Sequence, residues 1–151
     1  MENKKIIIEY SSGWGHISNS HHESMEFTDK YIKYDFIQGD ERILETPDWM
    51  SGQACHVSWL VPLEDFIDNL DKLFEVFSFA DHIKDERERM TAICDGDTCT
   101  IEIINELGES KEIYPSEDNL YSLGALIKPL IPTHLLRLHR PSFIPFNSKK
   151  Y

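Results

Sequence analysis

The chain lacks any run approaching the roughly 18 apolar residues of a membrane-spanning helix, and it holds only three cysteines in 151 residues. The first absence leaves no candidate span. The second, an odd count, leaves no fully paired disulfide framework and fits a reducing compartment. Met1-Glu2-Asn3-Lys4-Lys5 leads into three isoleucines and then Glu9, too short an apolar segment for a secretory signal. Together these features lead us to expect a cytoplasmic protein. Also absent are a GxxxxGK[ST] phosphate loop, a GxSxG nucleophile elbow and a CxxC pair, so the common nucleotide, serine-hydrolase and thiol-redox signatures find no match.

Acid is plentiful but unevenly placed. There are 27 Asp+Glu against 15 Lys+Arg, a formal net charge of −12. Residues 1–60 carry net −5, residues 61–120 net −12 and residues 121–151 net +5, with no acid after Asp118. The basic stretch holds Lys128, Arg137, Arg140, Lys149 and Lys150, with His134 and His139. Its interleaved Leu135, Leu136, Leu138, Phe143, Ile144 and Phe146 read as docking residues. The expectation is that this stretch folds back on the acidic body rather than serving as an arm for an anionic partner. A chain so acidic overall repels a phosphate backbone, so direct nucleic-acid binding is not expected. With 40% hydrophobic and 11% aromatic residues, a chain of this size can bury about 68–70% of its unfolded surface and form one core unaided.

Periodicity places the elements. Ile6 to Tyr10 is a β-branched run ending at Ser11-Ser12-Gly13, a strand entering a turn. Ser24 to Thr28 alternates, with Met25 and Phe27 on one side. After Asp29-Lys30, Ile32, Tyr34 and Phe36 alternate with Lys33 and Asp35, predicting a hairpin. Gln53 to Val61 alternates again, with Cys55, Val57, Trp59 and Val61 on one face. The period then changes to about 3.6 residues. Pro62 suits the first position of a helix whose apolar stripe is Leu63, Phe66, Ile67, Leu70, Leu73, Phe74 and Phe77. Met90 to Cys94 and Thr98 to Ile104, around Asp95-Gly96-Asp97, read as a hairpin. A short strand near Lys111–Tyr114 follows the turn at Leu107-Gly108-Glu109. Ser116 caps a second helix carrying Leu120, Leu123, Leu126 and Ile127, closed by Pro129 and Pro132. Thr133 to His139 forms one more short helix. The predicted fold is a single α+β domain over residues 1–140, an antiparallel sheet of about five to seven strands with two main helices packed on one face. Residues 141–151 form a basic tail containing proline and aromatic residues.

Few residues carry candidate chemistry. Gly13-Trp14-Gly15-His16 follows a strand but lacks the third glycine of a dinucleotide loop; Trp14 either caps the core or forms a contact surface. His16, His21 and His22 form the candidate metal set, with zinc as the ion that imidazoles would hold. Cys55 and His56 are neighbours on a strand, so they point to opposite faces and do not complete that set. Cys94 and Cys99 read as inward thiols of a hairpin. The strongest pattern is acidic: Glu64, Asp68, Asp71 and Glu75 recur at i, i+4, i+7 and i+11, one ridge on the outer face of the first helix. A ridge of this kind suits a basic protein surface, where complementary charge speeds association and selects partners.

In charge and architecture the chain resembles the small acidic α+β proteins, immunity proteins and phage-encoded inhibitors among them, that neutralise a bacterial toxin or another basic target. The resemblance implies a non-enzymatic interaction protein, and the residues named for the contact are Glu64, Asp68, Asp71, Glu75 and Trp14. The competing expectation is a metal-dependent hydrolytic enzyme using the histidine-rich loop at residues 13–22. A homo-oligomer assembled through the apolar tail is a third.

Overall fold

The structure, a computed structural model, describes residues 4–11, 21–38, 55–63, 70–86 and 98–145. The β-branched run near the N-terminus forms β1 (Lys5–Ser11). It is followed by β2 (His21–Thr28), β3 (Tyr31–Gln38) and β4 (Cys55–Pro62). Helix α1 (Leu70–Asp81) precedes β5 (Thr98–Ile104) and β6 (Ser110–Ile113). Helix α2 (Glu117–Ile127), a 3-10 turn over Lys128–Leu130 and the short α3 (Thr133–Leu138) complete the order. The six strands form one sheet in the order β4-β3-β2-β1-β5-β6, every neighbouring pair antiparallel. The fold is mixed α+β and mostly sheet. No helix among the described residues is long and apolar enough to cross a membrane.

Register explains the core. Ile6 stands beside Phe27, Ile32 and Val61 across successive strands, and Ile8 beside Met25, Tyr34 and Trp59. On the other side of β1, Ile103 and Ile101 continue the two rows, and Ile113 of β6 extends the second. All of these are buried. Period-two alternation in each strand, held in register, therefore gives one continuous apolar face. The opposite face carries Lys5, Glu26, Lys33, Asp35 and His56, with Lys5 3.2 Å and Tyr31 within hydrogen-bond contact of Glu26.

The helices add Leu73, Val76, Phe77 and Ala80 from α1 and Leu120, Leu123, Gly124 and Ile127 from α2. The Phe77 ring lies 5.3 Å from that of Phe27. Ser116 caps α2 as its sequence position predicts, its hydroxyl accepting the Asn119 N–H at 3.2 Å. Beyond α3, Phe143 and Ile144 are fully buried, so residues 141–145 reach into the core. They lie close to α2: a Cβ added at Gly124 would collide with the Phe143 carbonyl and stand 3.3 Å from Ile144 Cα.

Three sequence expectations change. Pro62 does not open a helix; it ends β4 opposite Tyr31. Phe74 and Leu70 do not join the apolar stripe of α1 but are 64% and 53% exposed, because the buried arc runs through 73, 76, 77 and 80 and leaves 70 and 74 on its flank. Strand β2 begins at His21, three residues before the alternation was evident. Met90–Cys94, the expected partner of Thr98–Ile104, lies outside the described residues; β5 itself pairs with β1 along its length and with β6 over Ile101–Ile104.

Candidate functional site

Of the predicted contact residues, Asp71 and Glu75 stand exposed on α1, while Trp14, Glu64 and Asp68 lie outside the described residues. Asp71 and Glu75 are one turn apart, and so are Leu70 and Phe74 beside them. The outer side of α1 thus pairs an apolar strip with an acidic one. Asp81, at the helix end, is engaged by Lys4 at 3.2 Å.

The metal set divides. His16 lies outside the described residues, and His21 and His22 leave β2 on opposite faces. His22 is on the open face, its Nδ1 2.7 Å from Ser11 Oγ. His21 turns toward the core, where its ring stacks between Tyr10 at 5.8 Å and Phe36 at 5.5 Å. Two neighbours on a strand cannot reach one ion from opposite faces. Among the described residues no group of three or more His, Cys, Asp or Glu is arranged to hold a metal. His56 is likewise on the open face, 3.7 Å from Asp35.

Sequence reasoning passed over Glu23. Its carboxylate is fully buried, in the register row that runs Tyr10, Glu23, Phe36 and Val57, with Cys99 beside Tyr10. Oε1 accepts the Tyr34 hydroxyl at 2.6 Å and the Ser142 N–H at 2.9 Å. Oε2 lies 3.3 Å from His21 Nε2, close enough for an ion pair yet not aligned as a hydrogen bond. The Trp59 Nε1–H, on the same face, is buried and has no acceptor among the described residues. His139 closes this group, its ring 4.0 Å from that of Phe36. A signal for Glu23 was present: it shares parity with Met25 and Phe27, so the alternation that buries those two buries it as well.

Burial and the Glu23 carboxylate set the local titrations. Burial, then the Glu23 hydrogen bond and charge, push the Tyr34 hydroxyl well above its ordinary range. Burial, helped by Glu23, pushes the Cys99 thiol up to about 12, so Cys99 is an inert thiol near neutrality. Burial holds His139 below its ordinary value; Glu23 pulls it up, while His21 and Arg140 push it down. This cluster ties the end of the chain to the sheet. No family model, no curated protein and no solved structure matches this chain.

Proposed function

We propose that this protein is a non-enzymatic interaction protein that binds a basic protein partner through the outer side of α1, in the manner of an immunity protein or an inhibitor. The observation that carries this reading is Phe74, 64% exposed on a helix beside Leu70, Asp71 and Glu75. An exposed aromatic flanked by acids suits an anchor within a charged rim: the ring supplies buried area and the carboxylates supply steering and register. In the sequence Glu64 and Asp68 precede Asp71 and Glu75 at the i, i+4, i+7 and i+11 spacing, and they lie outside the described residues. In this reading α1 and α2 cover one face of the sheet together, as the Phe77–Phe27 contact supports, and α1 turns its other side outward.

The test is capture on the immobilised protein, identification of what is retained, and titration of that purified partner against the wild type, D71K/E75K and F74S. The expected partner is basic. D71K/E75K is expected to weaken binding by about tenfold or more, roughly 1.4 kcal/mol, through a slower association rate, and F74S through faster dissociation. Unchanged, salt-insensitive binding by D71K/E75K would reject this reading.

A second reading, a zinc-dependent hydrolytic enzyme, draws on His21 beside the buried Glu23. The opposite orientations of His21 and His22 count against a shared ion. Elemental analysis decides: a stoichiometric metal lost in His21→Ala would favour the enzyme.

A further inference from the structure

Strand β4 ends one side of the sheet, and among the described residues no strand lies beyond it. This edge carries no formal charge. Cys55–Pro62 falls within Trp49 to Leu63, a run of 15 residues without Asp, Glu, Lys or Arg in a chain that is 28% charged. Natural sheet edges are commonly blunted with charge; among the described residues of this edge, Pro62, at the very end, is the one that does any blunting.

The phase of the backbone follows from one bond. Leu63 N–H donates to Lys30 O at 2.8 Å, next to the Tyr31–Pro62 pair. Hydrogen-bonded and non-hydrogen-bonded pairs alternate along an antiparallel ladder. The backbone groups of Val61, Trp59, Val57 and Cys55 therefore face β3, and those of His56, Ser58 and Leu60 face outward. Pro62 is in the outward phase too, where its missing N–H costs no ladder bond.

We propose that a second copy of this chain pairs with this edge, β4 against β4, antiparallel about a two-fold axis at Ser58. Side chains on one face must meet those of the same face, so the axis passes through a residue position rather than between two. Centred on Ser58, Ser58 meets its counterpart and His56 meets Leu60 of the other copy. Every outward N–H and C=O of these three residues is then used. Centred on Trp59, His56 would meet Pro62 and its carbonyl would find no donor. The favoured register also covers Leu60, 55% exposed in the single chain, with an imidazole.

Charge selects a second copy at this place. Two chains of net −12 repel over most of their surfaces, and an uncharged strand is where they approach at least cost. The nearest acids among the described strands, the two Asp35 side chains, would stand about 14 Å apart at a strand spacing of about 4.8 Å, beyond the Debye length of about 8 Å. Each also has His56 Nε2 at 3.7 Å. None of this uses α1, so the dimer and the partner surface are tested separately.

Sedimentation equilibrium of the full chain tests the proposal with three variants. Ser58→Pro removes an outward N–H and no bond to β3, Leu60→Lys places a charge at the seam, and Ser58→Cys reports the register. The wild type is expected at twice the 17.6 kDa chain mass, and S58P and L60K at the single mass with an unchanged far-UV circular dichroism spectrum. Directly opposed residues of this kind have Cα atoms about 5.5 Å apart, within disulfide reach. S58C is therefore expected to cross-link on mild oxidation, and L60C is not. A wild type that stays monomeric, a dimer that survives L60K, or an S58C dimer that fails to cross-link would each overturn the proposal.

Discussion

Glu23 sits where a carboxylate is costly, fully buried among Tyr10, Phe36 and Tyr34, and it is held there by two donors from distant parts of the chain. Replacing it with alanine leaves the Tyr34 hydroxyl and the Ser142 N–H unpaired, each orphan costing about 1–3 kcal/mol. E23A is therefore expected to lose about 3 kcal/mol in urea unfolding. E23Q keeps an acceptor oxygen in the same place and is expected to lose less than half as much. Equal losses would show that the hydrogen bonds do not carry the effect. His139, across the same cluster, titrates below its ordinary value of 6.5 because it is partly buried. Below that pH the unfolded chain takes up a proton that the folded chain resists. The stability His139 contributes is thus complete above about pH 6.5 and is lost as the pH falls toward its folded value. Stability measured from neutrality down to about pH 5 is expected to fall less steeply in His139→Phe than in the wild type. Parallel curves would remove His139 from the account.

At the scale of elements, α2 at Gly124 and the backbone of Phe143 and Ile144 approach closely. Glycine inside a helix ordinarily costs up to about 1 kcal/mol relative to alanine, and at an open position G124A would stabilise the protein. Here the added methyl meets the Phe143 carbonyl, a backbone atom that cannot swing aside. G124A is expected to lower stability by about 2 kcal/mol, readable as a shift in the urea midpoint. A gain would mean that the segment moves freely away from α2. Gly108 answers a different need: its φ of +83° lets the chain turn between β5 and β6, while the Asn105 side chain accepts the Leu107 and Glu109 N–H groups. Helix α1 shows how far a stripe can be read. The 3.6 period located the helix, but only the packed molecule divided Leu73, Val76, Phe77 and Ala80 inward from Leu70 and Phe74 outward.

For the molecule as a whole, charge is divided along the chain. An acidic body of net −17 over residues 1–120 is joined to a stretch of net +5 over residues 121–151, and the latter enters the core at Phe143 and Ile144. The outward side of α1 sets Asp71 and Glu75 beside Leu70 and Phe74, so the proposed partner binding there is expected to weaken as salt rises, on the scale of the Debye length. The strand pattern, the Ser116 cap and the α+β class were legible from residues alone, because alternation and capping are local: they depend on neighbours two to four positions away. The division between His21 and His22 was nearly legible, and was hidden only because His21-His22-Glu23 is too polar to show where β2 begins. By itself the sequence determined the period of each element and the sign of each region. Tertiary structure alone decided which donors meet the Glu23 carboxylate and which side of α1 faces out. The acceptor on Glu23 meets a backbone donor 119 positions away at Ser142, and no local pattern encodes a contact that only chain closure creates.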